Sequence, residues 1–235
     1  MPLHAVSVDA PVRQLRPDFR VLALRVSGIR NGPSTPESDA WLAEAEAKAR
    51  AAAPGVHRHI AAWQEAYRAF GAKPQRTPSS VEALWQRAVK GALPRVNWLV
   101  DLYNAVSVSH VLPVGGEDAA RFAGDLRLVR ATGHEPFDTV RESAAVVEHA
   151  LPGEVVWADD LGVTCRRWNW RQGTRTRLTE NSTDALFLLE RLEPFPLSDL
   201  EAAGDALVRA ISLRFPTAII ERQILPSPAS GTGAP

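Results

Sequence analysis

The chain has 235 residues, 45% of them hydrophobic and 23% charged, with 27 basic side chains balanced by 27 acidic ones. This is the composition of an ordinary globular protein, and zero net charge excludes a global field that would draw it to nucleic acid or a membrane surface. The single cysteine, Cys165, excludes an internal disulfide and points to a reducing compartment, so the cytoplasm is the expected location. No run approaches about 18 unbroken apolar residues, and MPLHAVSVDA lacks the basic region and apolar core of a leader, so neither a membrane span nor a secretory signal is expected.

In chain order, AVSV and the mostly apolar, β-rich residues 19–29 predict two strands. Thr35-Pro36 places an N-cap residue before a proline at the first helical position, and Glu37 and Asp39 suit the positive helix end. A helix is expected from there through Ala53, stopped by Ala53-Pro54-Gly55. Residues 57–70 predict a second helix, with Ile60, Trp63, Tyr67 and Phe70 on one side and Gly71 as its stop. A third opens after Thr77-Pro78 with Ser79 and Glu82 as a capping pair, and Val81, Leu84, Trp85 and Ala88 form its apolar stripe. These helices read as packing, without chemistry. His57 and His59 fall on different helix faces and lack further ligands, so surface or capping duty is expected of them rather than a metal.

The stretch 96–118, VNWLVDLYNAVSVSHVLPVGGED, organises the rest. Leu99, Val100, Tyr103, Val106 and Val111 recur at helical spacing and face a core. Asn97, Asp101, Asn104 and Ser107 form a second, polar stripe on the same helix. Buried polar groups need partners, so this stripe meets either neighbouring polar backbone or a ligand. The following Pro113-Val114-Gly115-Gly116-Glu117-Asp118 reads as a turn. Its glycine amides either approach a ligand closely or stop the helix, with Asp118 as the next cap.

Beyond it the chain becomes mainly β, with strands expected over 126–130, 154–159, 162–170 and 185–192 and turns at Pro152-Gly153 and 160–162. Ser198 and Glu201 read as a capping box for a last helix that faces Leu200, Ala203, Leu207, Ile211 and Phe215 inward. Residues 217–225 predict a final strand, and PSPASGTGAP has the composition of a disordered tail. The expected class is α+β, a single globular domain over 1–226 with a mixed or antiparallel sheet and flanking helices. Its parts are a helical region (35–92), a motif core (94–190) and a C-terminal helix and strand (197–225), followed by the tail 227–235.

The run CRRWNWRQGTRTR holds Arg166, Arg167, Arg171, Arg175 and Arg177 and no acid. As a strand it puts Arg167, Asn169 and Arg171 on one face and Arg166, Trp168 and Trp170 on the other. Either the arginines meet phosphates and the tryptophans stack on unpaired bases, or the tryptophans are core and the arginines solvated. Glu135, Glu154, Asp159 and Asp160 stand at strand ends, where they either position water or a cation or cap turns. Cys165 lacks an evident histidine partner and is not expected to be a nucleophile.

Residues 100–118 resemble the editing domain of the bacterial phenylalanyl-tRNA synthetase β subunit, where V-V-D-x-T-N-Y leads into P-M-H-A-F-D. In the same order, LRLVRATGHE, LPGEVVWADD and TDALFLLE are similar to that family's following strands. The likeness is closer still to free-standing relatives of the domain, which carry an N-x-x-x-D-x-x-N-x-x-S helix and a C-R-R-W-N-W-R run. The match covers residues 94–190. Two departures matter: the family's turn histidine is Gly115 here, and a family glutamate aligns near Thr174. The resemblance therefore implies a pocket for a different side chain, and Glu117 and Asp118 suit a basic one.

What the resemblance implies is a trans-editing aminoacyl-tRNA deacylase, a carboxylic ester hydrolase whose partner is the aminoacylated 3′ end of a tRNA. In that reading Asn104 and Ser107 hold the water or the ester, and the Gly115 and Gly116 amides receive the oxyanion. Glu117, Asp118 and Asp160 select a basic side chain, such as canavanine on arginine tRNA. Trp168 and Asn169 hold the substrate end, and Arg166, Arg167, Arg171 and Arg175 hold the RNA. No metal or cofactor is expected. The alternative is a non-catalytic module that binds an aminoacyl-tRNA end or an amino acid.

Overall fold

A computed structural model describes residues 2–52 and 57–226, and they form an α+β fold. Strand β1 (Val6–Val8) and helix α1 (Ala10–Leu15) lead into β2 (Arg20–Ser27). Helices α2 (Pro36–Ala51), α3 (Arg58–Ala69), α4 (Ser80–Val89) and α5 (Trp98–His110) follow. Then come β3 (Val114–Asp118), β4 (Leu126–Arg130), β5 (Pro136–Arg141), β6 (Ala144–His149), β7 (Val155–Asp159), β8 (Gly162–Arg166) and β9 (Arg171–Gln172). Strand β10 (Asp184–Arg191), helix α6 (Leu197–Arg214) and β11 (Ile219–Leu225) complete it. Among the described residues, no helix is long and apolar enough to cross a membrane.

Local chemistry sets the helix starts. The Thr35 hydroxyl accepts from the Ser38 amide at 3.2 Å while the Ser38 hydroxyl accepts from the Thr35 amide at 3.0 Å, a reciprocal cap ahead of Pro36. Asn97 caps α5 by accepting from the Val100 amide at 3.1 Å. Helix α6 differs from its expected start: its N-cap is Pro196, and Ser198 donates to Asp199 instead of forming a box with Glu201.

Two sheets face one another. One is antiparallel in the order β11-β2-β10-β3; the other runs β1-β4-β7-β8-β9, with β1 parallel to β4 and the rest antiparallel. Side chains alternate across a strand, so β10 sends Ala185, Phe187 and Leu189 one way, onto the core shared with α5 and α6. Leu186 and Leu188 point the other way, into the core shared with α3 and the second sheet. Both faces of β10 are covered, which is why its sequence reads as an almost continuous apolar run.

Three sequence expectations fail here. Residues 113–118 are not a turn: Val111 reverses the chain in the left-handed conformation (φ 55°), leaving Val114–Asp118 free to pair with β10. The strand over 162–170 ends at Arg166, because Arg167 and Trp168 adopt φ of 48° and 68° and fold Trp168 into the core against Phe19, Trp63 and Phe70. The face alternation read for that run is therefore void. Helix α1 and the β5–β6 hairpin went unread, since neither carries a sustained period. The stop at 53–55 and the tail 227–235 lie outside the described residues.

Candidate functional site

A cavity of about 270 Å³ opens between the two sheets. Its inner wall comes from β10 and β3, since Leu188 pairs with Gly115 and cross-strand partners share a face. Trp157 of β7 and Cys165 of β8 stand opposite, α4 and the turn at 167–170 cover one side, and Tyr103 and Asn104 of α5 reach in past β3.

The polar stripe of α5 divides its duties. Asn97 accepts from Asn31 at 2.9 Å and donates to the Leu178 carbonyl. Asp101 accepts from the Ser38 hydroxyl and the Val96 amide, both at 2.9 Å. Ser107, which does not border the cavity, donates to the Leu112 carbonyl at 2.6 Å and so ties off the helix C-terminus, in place of its expected catalytic role. Asn104 is left. It is 6% exposed and lines the cavity, and among the described residues its amide has no hydrogen-bond partner.

The two glycines of β3 also part ways. A Cβ on Gly115 would meet nothing within 4 Å, so that position opens on the cavity, whereas a Cβ on Gly116 would lie 2.8 Å from both Tyr103 and Leu178. Gly116 is thus a packing position on the opposite face. The Glu190 amide donates to the Pro113 carbonyl at 3.0 Å, which sets the ladder phase so that Leu188 and Gly115 exchange hydrogen bonds. The Gly115 amide is therefore held in the sheet, and the expected glycine oxyanion pair does not form.

Two buried acids face the same space. Glu117, 3% exposed, accepts from Gln172 Nε2 at 2.6 Å. Glu190, 2% exposed, accepts from Trp157 Nε1 at 2.8 Å and from Asn169 Nδ2 at 2.7 Å. Neither carboxyl is in ion-pair contact with a guanidinium or ammonium group among the described residues. Burial raises each of them to about 8, against the hydrogen bonds that pull the other way. Burial likewise pushes the Cys165 thiol and the Tyr103 hydroxyl up, so both stay protonated. Among the described residues, no group of three or more His, Cys, Asp or Glu side chains is arranged to hold a metal ion.

Other expected site residues lie elsewhere. Asp118 accepts from Ser182 at 2.7 Å and caps Ala120; it does not border the cavity. Asp160 pairs with Arg127 at 2.8 Å on the surface. Arg166 is buried and grips Glu154 through two bonds of 2.9 and 2.8 Å, with Glu148 at 3.0 Å. Arg175 clasps Asp159 at 2.8 and 2.7 Å. Arg171 donates to the Val140 carbonyl. These contacts, made because a buried carboxylate needs a partner, take Arg166 and Arg175 out of any RNA surface. Trp168 touches the cavity only from within the core. Trp170 is the half-exposed wall, with the Arg167 guanidinium 4.5 Å from its ring. Arg87 and Glu190 were missed. Arg87 sits on the exposed face of a helix read as inert, while Glu190 was legible as an acid at an inward position of a buried strand.

His59 also departs from its expected surface duty. Its Nδ1 donates to the Val111 carbonyl at 2.8 Å, and its Nε2 accepts from Trp63 and from the Leu192 amide, both at 3.1 Å. It is a buried, neutral tie between α3, the end of α5 and β10.

A family model described as the B3/4 domain matches residues 62–198. The chain belongs to the B3/4 domain family. Every residue bordering the cavity lies within the matched span. The B3/4 chain is also similar in fold to an N-terminal fragment of the phenylalanyl-tRNA synthetase β-subunit from Pyrococcus horikoshii, with a TM-score of 0.51 at 12% sequence identity. That likeness covers 94% of this chain and 54% of the other, so the B3/4 chain spans about half the length of that fragment. No curated protein matches it. The relation to the synthetase editing-domain family read from the residues holds at the level of family and fold.

Proposed function

We propose that this B3/4 chain is a trans-editing aminoacyl-tRNA deacylase, hydrolysing the ester of a tRNA wrongly charged with a basic amino acid such as canavanine on arginine tRNA. The observation that carries the substrate class is the pair of buried carboxyls, Glu117 and Glu190, which border one cavity and have no ion-pair partner among the described residues. A cationic side chain entering between them supplies the missing charge and displaces their protons. The ester then lies towards Gly115, where the absent Cβ leaves room, and the Asn104 amide and Tyr103 hydroxyl are the free donors beside its carbonyl. Donors fixed in place before reaction stabilise the developing oxyanion without reorganising. The neighbouring ribose hydroxyl of the substrate assists the attacking water. Trp170 and Arg87 take over the tRNA end from Trp168 and Arg166.

One observation favours the alternative of a non-catalytic holder: among the described residues no histidine borders the cavity, and the Cys165 thiol is held protonated. Release of amino acid from a panel of mischarged tRNAs, measured with the wild type and Asn104→Ala, separates the two readings. The deacylase predicts turnover on a basic ester, reduced about 100-fold or more in the variant with tRNA binding kept. No release from any member of the panel would end the enzyme reading.

A further inference from the structure

On the far side of the turn at 167–170 lies a second hollow of about 370 Å³, bordered by Lys73, Arg76 and Arg167. Its one acid is Glu154, and both Glu154 oxygens are already held by Arg166 at 2.9 and 2.8 Å; Arg167 stands at 3.8 Å from the same group. Lys73 and Arg76 are exposed and have no carboxylate in ion-pair contact among the described residues. The hollow therefore carries an excess of positive charge, with Lys73 and Arg76 unpaired among the described residues. Its wall includes one of two segments, among the described residues, where two successive non-glycine residues are left-handed: Arg167 at φ 48° and Trp168 at φ 68°. Such backbone is costly and persists where the surroundings impose it. Here it sends Arg167 into the hollow while Trp168, Asn169 and Trp170 border the ester cavity.

We propose that this hollow is a phosphodiester site, gripping the backbone of the RNA strand whose 3′ end enters the neighbouring cavity. The inference rests on the aminoacyl-tRNA reading above. A strand that ends in the cavity must carry its preceding phosphates out past the rim, and Arg167 lies against Trp170 on that rim. Arginine offers paired donors to phosphate oxygens, and lysine offers a point charge; clustering them in a concavity concentrates their field. Stacking of Arg167 on Trp170 at 4.5 Å couples the two sites mechanically.

The test is the affinity of uncharged tRNA over a series of salt concentrations, for the wild type, for Lys73→Ala/Arg76→Ala, and for Arg209→Ala on the exposed face of α6 as a control. Both hollow residues are exposed, so the fold tolerates their loss. The double variant should bind about tenfold or more weakly, and its salt slope should fall by about 2, near 1 for each lost phosphate contact. Arg209→Ala should keep the wild-type slope. A double variant that matches the wild type while the wild type binds tRNA overturns this site alone. A wild type with no salt-sensitive tRNA affinity overturns the site and the aminoacyl-tRNA reading together.

Discussion

Four buried carboxylates on the two facing sheets divide by partner. Glu154 and Asp159, at the ends of β7, are each clasped by a guanidinium through two hydrogen bonds, Arg166 and Arg175 respectively. Glu117 and Glu190, on the strands opposite, have only neutral donors. A buried acid with its cation is architecture, because removing either partner strands the other. A buried acid in an open cavity without one holds its proton instead, and a cationic ligand can displace that proton.

That contrast predicts different responses to substitution. Arg166→Ala should be the most damaging, lowering unfolding free energy by about 3–5 kcal/mol in urea titrations, since it leaves Glu154 buried without its two-bond partner and with only Arg167, at 3.8 Å, beside it. An unfolding free energy within 1 kcal/mol of wild type, on the order of a surface change, would erase the distinction. Glu117→Gln should leave the fold intact and cut hydrolysis of a basic ester by about tenfold or more, because its neutral amide cannot meet a cation.

The pH dependence of stability sharpens the same comparison. Glu117 and Glu190 are raised from 4.5 to about 8 in the folded chain, so the native state holds protons that the unfolded state has released. Their contribution is fully present below 4.5 and lost as pH rises through about 8. His59 works in the opposite sense: with its value lowered from 6.5 to about 4, its contribution is present above 6.5 and lost as pH falls through about 4. Thermal unfolding across pH should therefore show an alkaline decline that Glu117→Gln flattens, and an acid decline that it leaves unchanged. Ser107→Ala should be mildest, costing about 1 kcal/mol for the lost bond to Leu112 with no change in turnover.

How much of this the residues disclosed depended on whether a signal was local. Periodicity located β2, β4, β10 and most of α2 to α5, because those elements bury a regular face. The polar stripe on α5 was visible too, and its members divide: Asn97, Asp101 and Ser107 hold neighbouring chain, while Asn104 opens on the cavity. Nothing local could separate them, since the partners of Asn97 and Asp101 come from Asn31 and Ser38, more than sixty positions away in the chain. The arginine run was misread for the same reason. Arg166 and Arg175 lie in a segment without acids, yet Glu154 and Asp159 reach them across the sheet. Trp168 and Trp170 look alike in sequence, and the left-handed pair at 167–168 sends one into the core and leaves the other at the rim.

The most direct test compares hydrolysis rates for two aminoacyl-tRNAs that differ only in the end of the amino-acid side chain, one cationic and one a neutral isostere, with the wild type and with Glu117→Gln/Glu190→Gln. The wild type should favour the cationic ester by at least about tenfold, and the double variant should lose that preference while remaining folded. Equal rates on both esters in the wild type, or a preference that survives in the double variant, would contradict the assignment of Glu117 and Glu190 as the receptor for positive charge.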